Sequence, residues 1–151
     1  MPNWCYNRVR IDADPDQVKK LKEIHDIFEN YDDPFNQILP IPDFKNIPNE
    51  KGELPKLRRE LNKDGSVFYE TYDFPDGKND DRWYYWCIEN WGTKWDVSEL
   101  NVEYDEESLE LTFSTAWSPP EGVMNKLKEK YPDLYFTCFY DEPGMEIAGY
   151  Y

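Results

Sequence analysis

Apolar and polar residues alternate near the start of the chain, over residues 3–12. This period of two predicts a β-strand with one buried face. Apolar residues then recur every three or four positions over residues 18–28, which is the spacing of an amphipathic helix. Asp14 and Pro15 suit the cap and the first turn of that helix, and we expect it to end near Asn30.

The same two periods return in the second half of the chain. Residues 99–105 and 108–117 alternate and are joined by a short acidic turn, which predicts a β-hairpin. A second helix is expected over residues 118–131, because serine and proline suit its start and a proline follows its end. Residues 134–142 alternate again, and residues 145–151 are expected to return as a further strand.

The long elements therefore follow the order β–α–β–β–α–β, with one more strand at the end. This order predicts the α+β, ferredoxin-like fold, an antiparallel sheet with two helices on one face, because right-handed crossovers place both helices on the same side. The face toward the helices is expected to carry Cys5, Val9, Ile11, Leu109, Leu111, Phe113, Leu134, Phe136 and Cys138. The other face is expected to carry Trp4, Tyr6, Arg8, Arg10, Thr112, Ser114 and Phe139.

Residues 31–98 separate the first helix from the hairpin. We expect them to form an insertion packed on the core of a single domain, residues 1–151. Within the insertion, residues 54–61 indicate a short helix, residues 66–74 a strand or hairpin arm, and residues 83–90 a tryptophan-rich helix. We expect the insertion to cover the second sheet face, because large apolar patches are rarely left exposed. The alternative is an open face of arginines and aromatic rings that binds nucleic acid.

The chain is strongly acidic. Its 32 Asp and Glu residues against 17 Lys and Arg residues give a formal net charge of -15, of which residues 76–151 contribute -11. This balance opposes binding to nucleic acid or to an anionic membrane, and it favours a basic protein partner. The predicted partner-binding surface consists of Asp96, Glu99, Glu103, Asp105, Glu106, Glu107 and Glu110. A solvated face that only maintains solubility is the other interpretation.

The residues that support catalysis or metal binding are few. The three cysteines are far apart, and His25 is the only histidine, so we expect no zinc site, no cofactor and no enzyme activity. The chain starts without a signal-peptide pattern and has no apolar run long enough to span a bilayer. We therefore expect a cytoplasmic protein with free thiols.

Tryptophan is concentrated in the centre of the chain, with four of the six tryptophans within residues 83–95. Such a cluster marks either a core plug or a recognition surface, because a large aromatic ring buries much area at small entropic cost. We expect a core plug. The alternative is a pocket lined by Trp4, Trp91, Lys94, Trp95 and Trp117.

Four blocks of sequence carry a family resemblance. They read MPNWCYNRVRI, NWGTKWDV, FSTAWSPPEGV and YFTCFYDEPGMEIAGYY. These blocks resemble the YubB-type ferredoxin-like family of phage and plasmid proteins, although the tail departs slightly at Glu142-Pro143-Gly144. The matching positions are Asn3, Trp4, Cys5, Asn7, Trp91, Gly92, Thr93, Lys94, Trp95, Asp96, Thr115, Ala116, Trp117, Pro119 and Pro120. The resemblance implies a ferredoxin-like fold and a phage, prophage or plasmid source, and it implies no activity or catalytic residues.

Three functions remain open at this point. The preferred one is a non-catalytic accessory protein of a phage or other mobile element, which binds a host protein, including a defence-system protein, in the bacterial cytoplasm through the acidic surface. The second is nucleic-acid binding by the sheet face, which predicts exposed side chains at Arg8 and Arg10. The third is a small-molecule or nucleotide site in the tryptophan pocket. The last strand leaves a homodimer open as well.

Overall fold

The computed structural model describes residues 1–73 and 81–151. Its contacts divide the chain into two compact units. Unit 1 comprises Met1–Pro40 and Trp86–Tyr151, and unit 2 comprises Ile41–Tyr85. Within the two described ranges, no helix is long and apolar enough to cross a membrane.

Five antiparallel strands form the sheet of unit 1. Across the sheet they are β4 (Ser98–Asp105), β5 (Ser108–Ala116), β1 (Trp4–Asp12), β6 (Tyr135–Glu142) and β7 (Ile147–Tyr150), numbered in chain order. The long helices are α1 (Val18–Asn30) and α4 (Glu121–Lys130). The predicted ferredoxin-like order is confirmed, and the extra C-terminal strand is confirmed as an edge strand that pairs with β6.

The buried face of the sheet is the one that the alternation predicts. Val9 lies opposite Leu111 on one neighbouring strand and opposite Cys138 on the other, and all three side chains are buried. The helices contribute the buried side chains Leu21, Ile24, Phe28, Val123, Met124 and Leu127. Full burial of each such aliphatic side chain contributes roughly 1.5–3 kcal/mol, so this layer is the main stabilising contact of the fold.

The first helix begins later than its sequence signals predict. A 3-10 turn at Pro15–Gln17 precedes Val18, and Asp14 makes no side-chain cap hydrogen bond. The Asp14 carboxylate instead accepts a hydrogen bond of 3.2 Å from the Tyr135 hydroxyl. Asp14 therefore links the start of this connection to β6.

Unit 2 contains a two-stranded antiparallel sheet of β2 (Lys56–Leu61) and β3 (Val67–Asp73). The short helix predicted at residues 54–61 is wrong, because this segment pairs with β3 as a strand. The strand predicted at residues 66–74 is confirmed as far as Asp73, and position 74 lies outside the described residues. Every residue of β2 is exposed.

Two further helices lie in the predicted insertion. α2 (Pro34–Ile38) belongs to unit 1, and α3 (Arg82–Asn90) starts in unit 2 and ends in unit 1. The tryptophan-rich helix predicted at residues 83–90 is confirmed as α3, and it ends before Gly92, which has φ +92° and whose N–H donates to the Cys87 carbonyl. Glycine is favoured there because L side chains rarely adopt this left-handed conformation.

Candidate functional site

Two of the sequence blocks meet in a junction between the loop after α3 and the corner before α4. The Thr93 hydroxyl donates to the Ala116 carbonyl at 3.0 Å, and the Ser118 hydroxyl donates to the Gly92 carbonyl at 2.6 Å. Thr93 is 1% exposed, so its hydrogen bond satisfies a buried polar group. These motif residues therefore hold the two loops together.

A close approach of the two loops explains the glycine in each block. A Cβ atom at Gly92 would lie 2.9 Å from the Pro119 carbonyl oxygen, and one at Gly122 would lie 1.7 Å from the Asn90 carbonyl oxygen. The Gly122 N–H also donates to the Trp91 carbonyl at 3.0 Å. The junction leaves no room for a side chain at either position.

A buried chain of hydrogen bonds occupies the other matched positions. The Tyr151 hydroxyl donates to Asn7 Oδ1 at 3.0 Å, and Asn7 Nδ2 donates to Thr115 Oγ1 at 2.9 Å. The Thr115 hydroxyl in turn donates to the Ser118 carbonyl at 2.7 Å. Each of these side chains has a hydrogen-bond partner. This is typical of a structural network and not of a reactive side chain that is free to contact a substrate.

The tail motif is also structural. Glu142 is fully buried, and its Oε2 accepts a hydrogen bond from the Met145 N–H, which closes the turn before β7. A Cβ atom at Gly144 would lie 2.7 Å from Asn3 Nδ2, so the turn packs directly against the N-terminal block. A side chain at Gly144 would displace the end of the flexible Asn3 side chain, in contrast to Gly92 and Gly122, where backbone atoms lie in the way.

The tryptophans divide into a core group and an exposed group. Trp91 is 2% exposed, its indole N–H donates to the Leu39 carbonyl at 2.8 Å, and its ring packs edge-on against Phe35. The predicted core plug therefore holds for this residue. Trp83 is 38% exposed and Trp95 is 42% exposed, so for these two residues of the central cluster the expectation of a buried ring is wrong. Trp117, outside the cluster, is 45% exposed.

The five side chains proposed to line a tryptophan pocket do not form a single cluster of ring contacts. Trp4 and Trp95 have ring centroids 6.4 Å apart, and Lys94 Nζ lies 4.1 Å from the centroid of the Trp95 ring. The structure thus brings three of the five proposed pocket residues together. Trp91 lies in the core instead, whereas Trp117 is exposed after β5, where its backbone N–H donates to the Asn3 carbonyl next to Trp4.

Asp96 differs from the other predicted partner-binding carboxylates. It accepts hydrogen bonds of 3.1 Å from both the Phe35 and Asn36 N–H groups, at the start of α2. Burial raises the pKa of Asp96, in opposition to these hydrogen bonds. Its carboxylate holds α2 in place and is not part of an exposed acidic surface.

The β4–β5 hairpin carries most of the predicted surface. We define the acidic hairpin as Glu103, Asp105, Glu106, Glu107 and Glu110. The first four are exposed, and none of them has an ion pair among the residues that the structure describes. Glu103 lies directly opposite Glu110 in the strand register. The only cation described near this pair is Arg10, 3.9 Å from Glu110, and it also pairs with Asp12.

The open face of the unit 1 sheet contains a groove of about 390 Å³. We expected the insertion to cover this face, but Tyr6 is 51% exposed and Arg8 and Arg10 are exposed as well. Both guanidinium groups are solvated, as expected because burying a charged group without a partner costs much free energy. The groove is lined by Tyr6, Asn7, Arg8, Glu99, Thr112, Phe113, Ser114, Phe139 and Asp141.

A β-bulge places Glu99 at this groove. Ser98 pairs with Ser114 and Asn101 pairs with Thr112, so two residues of β4 oppose one residue of β5. Glu99 has φ +53°, a conformation that non-glycine residues rarely adopt, and bulges commonly redirect a side chain near a functional site. Sequence reasoning found Glu99 as an acid but could not detect the bulge.

Sequence reasoning did not single out Asp141, which also lines the groove. The alternation of β6 contained the signal, because Phe139 and Asp141 fall on one side of that strand. Across residues 1–73 and 81–151, neither Arg8, Glu99 nor Asp141 has a side-chain hydrogen bond or an ion pair. Three unpaired charges of both signs therefore share one groove.

All three cysteines are buried as free thiols. Burial raises the pKa of Cys5 and of Cys87 to about 11, and the pKa of Cys138 is raised for the same reason. These thiols are poor nucleophiles at neutral pH. Within the described part of the chain, no group of three or more histidine, cysteine or acidic side chains is placed to hold a metal ion.

Comparison with known proteins supports the fold. The family model of the ferredoxin-like domain in Api92-like protein matches residues 90–151, which include the β4–β5 hairpin and α4. The crystal structure of a protein Api92 from Yersinia pseudotuberculosis is similar with a TM-score of 0.56 and 13% sequence identity, over 99% of this chain and 93% of that chain. No curated protein matches the chain. The similarity found is to Api92-like proteins, and a phage or plasmid source stays a prediction.

Proposed function

We propose that the protein is a non-catalytic accessory protein that binds a basic partner protein through the acidic hairpin. One observation carries this proposal: the hairpin presents four exposed carboxylates that form no ion pair with any described residue, next to a fifth that faces Glu103 across the strand pair. Clustered charge of one sign attracts a partner of opposite charge and steers its association. The rest of unit 1 adds to the effect, because outside the acidic hairpin it carries 9 basic and 17 acidic side chains.

A purely structural reason does not account for the whole cluster. Acidic side chains on an edge strand discourage pairing with other sheets, which explains Glu103 and Asp105 on β4. It does not explain Glu106 and Glu107 in the turn, or Glu110 on the inner strand β5. Like charges directly opposite each other destabilise a strand pair, so selection for stability alone disfavours this arrangement.

The biological setting is part of the proposal. The sequence blocks resemble phage and plasmid proteins, and mobile elements benefit from blocking host defence. We assign the partner to the host proteins of a bacterial cytoplasm, and in particular to those with a Lys/Arg groove that serves nucleic acid. An acidic hairpin is a suitable occupant of such a groove, because it offers the same sign of charge as a phosphate backbone.

Capture from a bacterial lysate tests the hairpin with two charge-matched variants. The hairpin variant carries Glu103→Gln, Asp105→Asn, Glu106→Gln, Glu107→Gln and Glu110→Gln. The control variant neutralises five exposed acids elsewhere, namely Asp16, Glu29, Asp32, Glu89 and Glu129. Both variants change the net charge equally, so any difference between them reports position rather than total charge.

We expect the wild type and the control variant to capture the same basic protein, and the hairpin variant to lose about tenfold or more of it. Capture should also fall steeply with salt, since the screening length decreases from roughly 10 Å at 0.1 M to 3 Å at 1 M. Equal loss in both variants, capture that ignores salt, or an acidic captured protein would contradict the proposal.

Nucleic-acid binding has one observation in its favour, the exposure of Arg8 beside Tyr6. The charges around it weigh against this function, because Glu99 and Asp141 line the same groove. A mobility shift of single-stranded RNA or DNA at low salt would favour it. We expect no shift, because the sheet face lacks the Lys/Arg patch that releases counterions from phosphates.

A further inference from the structure

The groove on the open sheet face has an ordered pattern of charge. Tyr6 pairs with Asp141 on one side and with Ser114 on the other, where Glu99 enters from the bulge. One step along the same face of β1, Arg8 lies between Thr112 and Phe139. An aromatic ring with a carboxylate on each side is thus followed by a guanidinium group.

The distance along β1 from the Tyr6 position to the Arg8 position equals the side-chain repeat of any extended chain. Side chains on one face of a strand repeat every two residues, or about 6.7 Å. Tyr6 and Arg8 have this spacing on β1. A second extended segment that lies along β1 offers its own side chains to the groove with the same period.

We infer that the groove binds an extended segment of a partner polypeptide that has a basic and an acidic residue two positions apart. The basic side chain lies on the Tyr6 ring between Glu99 and Asp141, where carboxylates and a cation–π contact both favour a cation. The acidic side chain pairs with Arg8. All three unpaired charges of the groove then have partners.

The backbone at Glu99 supports this inference independently of charge. A non-glycine residue at φ +53° is strained by about 1 kcal/mol or more, and such strain is concentrated at functional sites. A glycine at this position would relieve the strain but would remove the carboxylate from the groove. At Glu99 the chain thus accepts this strain where the bulge places an acid in the groove that Tyr6 also lines.

Other occupants fit less well. A nucleic acid strand would place its phosphates near Glu99 and Asp141, two carboxylates against the single guanidinium of Arg8. A free amino acid has matching charges, but the groove is open, and small-molecule sites normally enclose most of their ligand. A polypeptide segment gains further contact from Phe139 and from Tyr150, whose rings pack edge-on 5.3 Å apart.

Peptide titration of the labelled 151-residue chain, followed by amide shifts in NMR, tests the inference. The probes are blocked Ser/Thr peptides of one composition that contain Lys-Thr-Glu, Glu-Thr-Lys or adjacent Lys-Glu. Adjacent residues of an extended peptide point to opposite faces, so the last peptide is the matched control. We expect one of the spaced peptides to shift the amides of Tyr6, Arg8, Thr112 and Phe139, with at least about threefold higher affinity than the adjacent peptide.

Charge variants identify the contacts. Arg8→Glu and Glu99→Gln should each lower the affinity for the spaced peptide about threefold, and Arg8→Glu should instead prefer a Lys-Thr-Lys peptide. Lys126→Glu makes the same charge change on exposed α4 and should have no effect. Because Arg8 is exposed and unpaired, its substitution is expected to leave the fold intact, and the amide spectrum itself verifies this.

Equal affinity for spaced and adjacent peptides, or shifts outside the groove, would overturn the inference. Stronger shifts of the groove amides by a short oligothymidylate would also overturn it, in favour of nucleic acid. Peptide binding by the groove is a second proposal beside partner binding by the acidic hairpin, and an experiment can contradict either one without the other. The hairpin variant should still bind the spaced peptide, whereas the Arg8 and Glu99 variants should still capture the basic partner.

Discussion

Gly122 shows how one residue governs the packing of two loops in unit 1. It lies in the first turn of α4, and the loop after α3 crosses it so closely that a Cβ atom would overlap the Asn90 carbonyl. The atoms in contact are backbone atoms, which cannot rotate away as a flexible side chain does. We therefore expect alanine at this position to destabilise the protein, although helix propensity favours alanine over glycine.

Gly122→Ala should destabilise the protein by about 3 kcal/mol, although alanine in a helix normally stabilises by about 1 kcal/mol relative to glycine. The urea midpoint of unfolding measures this effect. Gly149→Ala is the control, because a Cβ there lies at an ordinary 3.7 Å from the Tyr140 ring, and its effect should stay within about 0.5 kcal/mol. Equal stability of the two variants would mean that the loops do not cross as described.

The three buried thiols make a second prediction at this scale. Burial raises the pKa of Cys5 and Cys87 to about 11, so only roughly one thiol in a thousand is ionised at pH 8. We expect an aromatic disulfide reagent to label no cysteine rapidly in the native protein and to label all three after denaturation. A native thiol that reacts within seconds would contradict the burial of these residues.

At the scale of elements, local periodicity predicted the five strands and the two long helices of unit 1, but it predicted neither the short helix α2 nor the strand β2. Leu54, Leu57 and Leu61 repeat at three and four positions, which imitates a helix. The segment forms a strand because a tight turn returns the chain into β3: the Asn62 N–H donates to the Ser66 carbonyl, and Gly65 has φ +88°. The Asp-Gly pair at this turn was the signal that outweighed the leucine spacing.

The candidate site was only partly predictable for a related reason. Charged residues in a hairpin turn are exposed almost wherever the hairpin lies, so the acidic hairpin followed from the sequence. Asp96 was misread as part of that surface because its partners, Phe35 and Asn36, are about sixty residues away in the chain. Flanking sequence could not distinguish the buried ring of Trp91 from the exposed ring of Trp95, since only tertiary packing separates them.

The acidic hairpin is expected to trade stability for binding. Glu103→Lys replaces a like-charge cross-strand pair with an opposite-charge pair facing Glu110, and should stabilise the protein by about 0.5 kcal/mol. The same change should weaken capture of the basic partner. Asp32→Lys, with the same charge change at an exposed site outside the hairpin, should leave capture unchanged. If Glu103→Lys lowered the thermal midpoint, or left capture intact, the hairpin would have no such role.

At the scale of the whole molecule, the two units differ in net charge and in the number of strands in their sheets. Unit 2 carries 8 basic and 10 acidic side chains, so nearly all of the net charge belongs to unit 1. The strands of unit 1 are paired in a five-stranded sheet with a buried face, whereas β2 and β3 form a two-stranded sheet. Two-stranded sheets are marginally stable in water.

Hydrogen exchange should therefore separate the units. We expect the amides of β2 and β3 to exchange within minutes, and the central amides of β1 and β5 to be protected for hours or longer. Mass spectrometry of peptide fragments after timed exchange measures both. Protection of β2 equal to that of β1 would contradict the description of unit 2 as a small exposed sheet.

We propose above that the acidic hairpin is the preferred contact for a basic polypeptide. A titration of the labelled protein with an oligolysine peptide tests this most directly. We expect the amides of residues 103–110 to shift first and most, and added salt to reverse these shifts. Shifts spread evenly over all acidic surfaces of unit 1, with none larger at the hairpin, would show that the hairpin has no special affinity for a cationic partner.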